Sequence, residues 1–158
     1  MIELRPMTVA EYAAYFTQAV AEYAEDKVKA ANWPIEGALE RSHQEFVKYL
    51  PLGLETPDNE VCTLVDAASG LAVGMIWYAL VVGSTTPTWF IFDFSINPEE
   101  RRKGYAAQAL AALEERARDQ GIQSIELHVF GHNTAARALY EKAGFEITNI
   151  NMRKKVRE

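Results

Sequence analysis

The chain of 158 residues predicts one α/β domain, mixed α+β in arrangement, built on a single mixed, largely antiparallel sheet with helices on both faces. Three observations carry this. Two segments near the N-terminus space their apolar residues at helical intervals. Three strand-like runs follow, joined by turn compositions, and read as a meander. Two strand–loop–helix units then stand in succession. That order implies one sheet covered on both sides. The length suits one domain with a full core, so residues 1–158 are taken as a single unit, and 49% hydrophobic with 24% charged residues is ordinary globular composition.

Residues 2–5 form a short strand candidate that Pro6-Met7 breaks. Thr8-Val9-Ala10-Glu11 is a capping box, in which Thr8 caps a helix and Glu11 reaches back. Tyr12, Phe16, Ala19, Val20 and Tyr23 give that helix one apolar face. Asn32-Trp33-Pro34 stops it, because the residue before a proline is pushed out of the helical region. A second helix is read over 35–50 on Leu39, His43, Phe46, Val47 and Leu50. Runs 60–65 and 71–82 flank the turn composition Asp66-Ala67-Ala68-Ser69-Gly70 and should pair as a hairpin. The third strand of the meander is read over 88–96, rich in aromatic and β-branched residues and ended by Asn97-Pro98.

Residues 104–120 carry eight alanines and leucines with charges between them, a strong helix former. A further strand is read over 124–130 and a helix over 134–143, closed at Gly144-Phe145. Residues 146–150 and 151–156 are expected to form a terminal β arm, an exposed strand that could pair across a homodimer.

Several function classes are disfavoured. No apolar run approaches a bilayer span and the N-terminus lacks a signal-peptide pattern, so a soluble, cytoplasmic protein without membrane partners is expected. The single cysteine, Cys62, reads as a buried small hydrophobe, and three scattered histidines lack ligand spacing, so no metal is expected. Residues 1–60 hold 11 acids and 5 bases, net −6, whereas residues 61–158 hold 11 of each. With only two short basic clusters, at 101–103 and 153–157, nucleic-acid binding is not expected.

The basic turn Arg101-Arg102-Lys103-Gly104-Tyr105-Ala106 lies between a strand and a helix. A helix N-terminus offers unpaired N–H groups and a positive dipole end, which stabilise a phosphate. Alone, this turn reads better as a structural loop with a solvated basic face, and it lacks the Gly-Lys-Ser/Thr of a P-loop. The second block, Asn133-x-x-Ala136-x-x-Leu139-Tyr140-Glu141-Lys142-x-Gly144-Phe145, adds independent weight. Together the blocks resemble the GNAT superfamily of N-acetyltransferases, whose pyrophosphate motif Gln/Arg-x-x-Gly-x-Gly/Ala is matched by Arg101, Gly104 and Ala106. The resemblance is specific from about Trp89 to Phe145, and the whole chain is similar to small bacterial acetyltransferases of unassigned substrate.

The resemblance implies the acyl-CoA N-acyltransferase fold and direct acetyl transfer from acetyl-CoA to a primary amine. The runner-up is a catalytically silent acyl-CoA-binding regulatory protein. It implies that backbone amides of Arg102, Lys103, Gly104, Tyr105, Ala106 and Ala107, with Arg101 at the rim, hold the pyrophosphate. It also implies that Phe94, Ser95 and Ile96 pair with the pantetheine arm, one of their N–H groups polarising the thioester carbonyl. By the same resemblance Asn133 bonds the cofactor arm and Tyr140 is the general acid; from the residues alone these read equally as a helix cap and an amphipathic-helix tyrosine. An acceptor ammonium must lose a proton before it attacks, and Asp93 and His128 are the candidate bases. Each also has a structural reading, and no base is obligatory. The acceptor site is expected between the first two helices and the third to fourth strands, with Glu22, Tyr23, Glu25, Asp26, Trp33, Trp77 and Trp89 available for a cationic amine; from the residues alone these also read as acids on an exposed helix and tryptophans in a core.

Overall fold

The computed structural model describes residues 1–157. Strand β1 (Ile2–Pro6) leads into helix α1 (Val9–Lys29) and then α2 (Ala38–Tyr49). A meander β2 (Asn59–Asp66), β3 (Ala72–Leu80) and β4 (Thr88–Ile96) follows, then α3 (Tyr105–Asp119), β5 (Ser124–Leu127) and α4 (Thr134–Lys142). The five strands stand in sheet order β1-β2-β3-β4-β5, antiparallel throughout except for the parallel pair β4–β5.

The local signals act as physical chemistry requires. The capping box forms reciprocally, with Glu11 N–H donating to Thr8 Oγ1 at 3.2 Å and Thr8 N–H donating to the Glu11 carboxylate at 2.9 Å. Arg5 from β1 adds two bonds to that carboxylate, at 3.1 and 2.9 Å, and holds Glu11 down to about 2. The second helix starts at Ala38 rather than at residue 35, because Gly37 adopts φ 75°, which a helix cannot propagate through, and leaves Ile35 exposed.

Two cores lie on opposite faces of the sheet. On one, Ala19, Val20 and Phe46 of α1 and α2 pack with Val61, Met75 and Trp77. On the other, Ala109, Leu110, Leu113 and Ala117 of α3 pack with Leu4, Leu64, Ile76, Tyr78 and Ile91, while Leu139 and Tyr140 of α4 lean on their margin. Leu64, Val73, Ile76 and Leu113 are fully buried, each contributing about 1.5–3 kcal/mol through burial.

Two expectations fail. β5 stops at Leu127 instead of Phe130, because β4 pairs with it only from Thr88 to Ile91 and then diverges. The terminal β arm does not form: residues 146–157 contain no helix or strand, and Ile147, Ile150, Met152 and Val156 are exposed. Strand propensity there meets no sheet edge within the chain, so pairing is absent.

Candidate active site

Divergence of β4 from β5 opens a concavity. Beyond Ile91, β4 continues to Ile96 with no strand on its β5 side. The opening leads into a cavity of about 480 Å³ between α1, α2, β4, the segment after β5, and α4. A bulge helps to shape it: Trp77 pairs with Asp93 and Tyr78 with Ile91, so Phe92 is extra and the strand bends there. Phe92 stacks on Trp77 at 4.6 Å with ring planes 19° apart, and this pair forms an aromatic floor.

Asp93 lines the cavity wall. Its carboxylate accepts from the Tyr15 hydroxyl at 2.7 Å and from Phe94 N–H at 2.9 Å. Burial pushes its pKa up, opposed by those two hydrogen bonds and reinforced by the charges of Glu22 and Asp26. The Tyr15 phenol is itself pushed up by burial and by Asp93. Tyr15 was not anticipated from sequence. It belongs to a stripe Tyr15, Ala19, Glu22, Asp26 at steps of four, three and four, which one helix face must share. Three of these, Ala19, Glu22 and Asp26, line the cavity.

Tyr140 lines the opposite side, its ring 6.4 Å from Phe94 and 5.6 Å from Phe145. Burial raises its pKa to about 12, with a contribution from Asp93. His128 also lines the cavity, although it follows the end of β5. It packs edge-on against Phe130 at 5.0 Å, and burial, then the Lys27 charge, lowers its pKa toward the neutral imidazole. Asn133 caps α4 by accepting from Ala136 N–H at 3.2 Å, and this leaves its side-chain NH₂ available at the cavity rim.

Backbone alternation sorts the three β4 positions. Asn97 N–H donates to Val73 O on β3 at 2.8 Å. Alternation then turns Ser95 toward β3, and Phe94 and Ile96 toward the open side. The Ile96 carbonyl accepts from Arg101 Nε at 3.0 Å, as that orientation requires. The Phe94 N–H is engaged by Asp93, which leaves Ile96 as the open-side N–H without such a partner.

The basic turn stands just beyond β4, outside the cavity lining. Arg102 (φ 64°) and Gly104 (φ 81°) are left-handed and wrap the chain into the start of α3. Gln108 N–H is the first amide bonded back, to Gly104 O, so those of Tyr105, Ala106 and Ala107 have no helical partner. The first turn of α3 has no acid and no side-chain cap, and a Cβ on Gly104 would meet only the Gln108 side chain, at 3.9 Å. These features fit an anionic phosphate. Lys103 is paired with Glu100 at 2.9 Å, and the Tyr105 hydroxyl donates to Asp66 at 3.1 Å, fastening the turn to the β2–β3 hairpin.

The acceptor-side residues divide. Glu22, Tyr23, Asp26 and Trp77 line the cavity, joined by Glu45, Tyr49 and Phe92, which sequence reasoning did not single out. Glu25 instead lines a shallow groove between α1 and α2 on a different face. Trp89 is buried against Tyr78 in the α3-side core, and Trp33 meets the Tyr23 ring edge-on at 5.7 Å without lining the cavity. Among the described residues no helix is long and apolar enough to cross a membrane.

The site thus joins a strand, β4, that splays from its parallel neighbour β5 to the N-terminus of α3, which has no side-chain cap. The profile of the Acetyltransferase (GNAT) family matches residues 17–145, and the chain belongs to that family. It is 43% identical over 155 residues to the uncharacterized N-acetyltransferase YycN of Bacillus subtilis (strain 168), covering 98% of this chain and 99% of the relative. It is 32% identical over 153 residues to the uncharacterized N-acetyltransferase YdgE of the same organism, covering 97% of each. The crystal structure of YycN superposes with a TM-score of 0.94 over the whole of both chains.

Proposed function

We propose that this acetyltransferase moves an acetyl group from acetyl-CoA directly to a primary amine, and that the amine is cationic before it reacts. The observation that supports this most is the meeting of two features at one strand. The open edge of β4 carries Phe94 and Ile96 between the α3 N-terminus and a cavity walled by Glu22, Asp26, Glu45 and Asp93 over an aromatic floor. A phosphate-terminated thioester suits the first, and an ammonium group suits the second by charge and ring faces.

In this reading the amides of Tyr105, Ala106 and Ala107 hold the pyrophosphate, with Arg101, Arg102 and Lys103 at its rim. The Asn133 side-chain amide bonds the pantetheine arm, and the Ile96 N–H, the open-side amide that Asp93 does not engage, donates to the carbonyl oxygen as it gains charge. Asp93, its proton affinity raised by burial and restrained by Tyr15, takes the ammonium proton; His128, biased toward the neutral form, is the second candidate for that step. The amine nitrogen attacks the carbonyl carbon, the C–S bond breaks while the Tyr140 hydroxyl donates a hydrogen bond to the departing sulfur, and the second proton lost by the nitrogen passes through that hydroxyl to the sulfur. The products are the N-acetylated amine and the free thiol of CoA.

The test is thiol release from acetyl-CoA against a library of amines spanning mono- and polycations, neutral amino compounds and peptide N-termini. Turnover with cationic amines supports the reading. Acetyl-CoA binding without turnover on any amine would instead leave an acyl-CoA-binding regulator.

A further inference from the structure

We infer that Asp66, at the hairpin between β2 and β3, is a positioning residue for acetyl-CoA: through the Tyr105 hydroxyl it holds the first turn of α3 in the shape that receives the pyrophosphate. The inference rests on the reading of that helix N-terminus as the phosphate site. It goes further by giving a carboxylate remote from the cavity a part in cofactor affinity.

The turn needs an outside hold. Arg102 at φ 64° and Gly104 at φ 81° are both left-handed, and a residue other than glycine stays in that region only where its surroundings fix it. No side chain caps α3, so nothing at its own start orders the amides of Tyr105, Ala106 and Ala107. The other side-chain bonds of the segment are local. Lys103 pairs with Glu100 at 2.9 Å, and Arg101 Nε donates to Ile96 O at 3.0 Å, which ties the turn only to the strand it follows. Among the described residues, the Tyr105 hydroxyl makes the one side-chain hydrogen bond from residues 98–108 to a part of the fold other than β4, donating to Asp66 Oδ2 at 3.1 Å.

The anchor at the other end is rigid. Asp66 ends β2 opposite Ile2 of β1. Its backbone closes the hairpin, with Asp66 N–H donating to Leu71 O at 2.9 Å and Gly70 N–H donating to Asp66 O at 2.7 Å. Its carboxylate accepts from Ala68 N–H and from Ser69 Oγ, each at 3.1 Å. Those bonds, that of Ala68 foremost, and the Met1 α-ammonium hold its pKa below the ordinary value. The acceptor is therefore a charged carboxylate whose orientation is set by the hairpin. Charge placement agrees with the role. An acid inside the first turn of α3 would compete with a phosphate for the free amides and the positive dipole end, and that turn holds none. A neutral phenol instead reaches from the helix to an acid standing on the hairpin, so the turn has a charge-assisted bond with no carboxylate among the phosphate donors.

Titration calorimetry with CoA tests this without any acceptor amine. Tyr105→Phe keeps the ring that packs against the α3-side core and should raise the CoA Kd about 3- to 10-fold, the effect of having to order one further side chain and its turn on binding. Asp66→Ala should raise it at least as much, and adding Tyr105→Phe to that variant should change nothing further, because the bond is already gone. Asp66→Asn should restore affinity, since an amide can pair with the hydroxyl through its oxygen or its nitrogen. An unchanged Kd in Tyr105→Phe overturns the inference and leaves the phosphate site standing. So does a Tyr105→Phe effect that persists in full beside Asp66→Ala, or an Asp66→Asn variant as weak as Asp66→Ala. Failure of the wild type to bind CoA would instead overturn the phosphate-site reading itself.

Discussion

Tyr140→Phe separates the chemistry of the phenol from its packing. The ring contacts with Phe94 and Phe145, at 6.4 and 5.6 Å, survive in phenylalanine, so the fold and acetyl-CoA affinity should hold. The hydroxyl alone is lost. Its pKa of about 12 lies roughly 3.5 pKa units above a thiol near 8.5, so complete proton transfer to the sulfur is uphill by roughly 5 kcal/mol at 1.36 kcal/mol per unit. Tyr140 therefore acts mainly by donating a hydrogen bond to a sulfur that is gaining charge. A bond to a charged group contributes about 1.5–3 kcal/mol, so kcat should drop by roughly 10- to 150-fold, at and below the lower end of general-acid effects. Thiol release measured at saturating amine, with the acetyl-CoA KM determined in parallel, gives both quantities. Wild-type kcat, or a loss that appears only in the acetyl-CoA KM, would refute the assignment.

The remaining predictions address the base, the acceptor and the phosphate turn. In Tyr15→Phe, Asp93 loses the bond that lowers its pKa; the acidic limb of the kcat profile should then move to higher pH, with a melting-temperature loss reflecting about 1.5–3 kcal/mol, and an unmoved limb would exclude Asp93 as the base. Glu22→Gln/Asp26→Asn should raise the KM for a cationic amine and flatten its salt dependence, because screened attraction is removed, whereas Glu25→Gln, outside the cavity, should change neither. Gly104→Ala puts an L side chain at φ 81°, costing about 1–2 kcal/mol, and should weaken acetyl-CoA binding in titration calorimetry while kcat at saturation is retained. For Glu11, held at about 2 against an ordinary 4.5 chiefly by Arg5, the folded pKa is depressed. Its contribution is present above pH 4.5 and lost as pH falls toward 2, so Arg5→Ala should flatten acid unfolding between those values.

The sequence made the framework legible where local chemistry decides. Thr8 and Glu11 mark the start of α1, and the aromatic run 88–96 coincides with β4. Legibility failed where a distant partner decides. Residues 128–130 and 146–156 have strand composition, yet a strand exists only beside another strand, and β4 turns away from the first while nothing in the chain meets the second. In the site, Asp93 stood out as a carboxylate inside an aromatic run, but its partner Tyr15 is 78 positions away and invisible to spacing rules. Including Glu25 and omitting Glu45 had a different cause: composition located the acids, the stripe through Tyr15, Glu22 and Asp26 leaves Glu25 off the cavity side of α1, and Glu45 reaches the cavity from α2.

The thiol of Cys62 is wholly buried between sheet and α3, and burial pushes it up to about 11. The native enzyme thus has no accessible thiolate to accept an acyl group in transit, which favours sequential over ping-pong kinetics. It also has a practical meaning at the bench. Chromogenic disulfide reagents added to the folded protein should register only the sulfur released by turnover, and cysteines introduced at the cavity rim or along residues 150–156 can be labelled without first removing a native one.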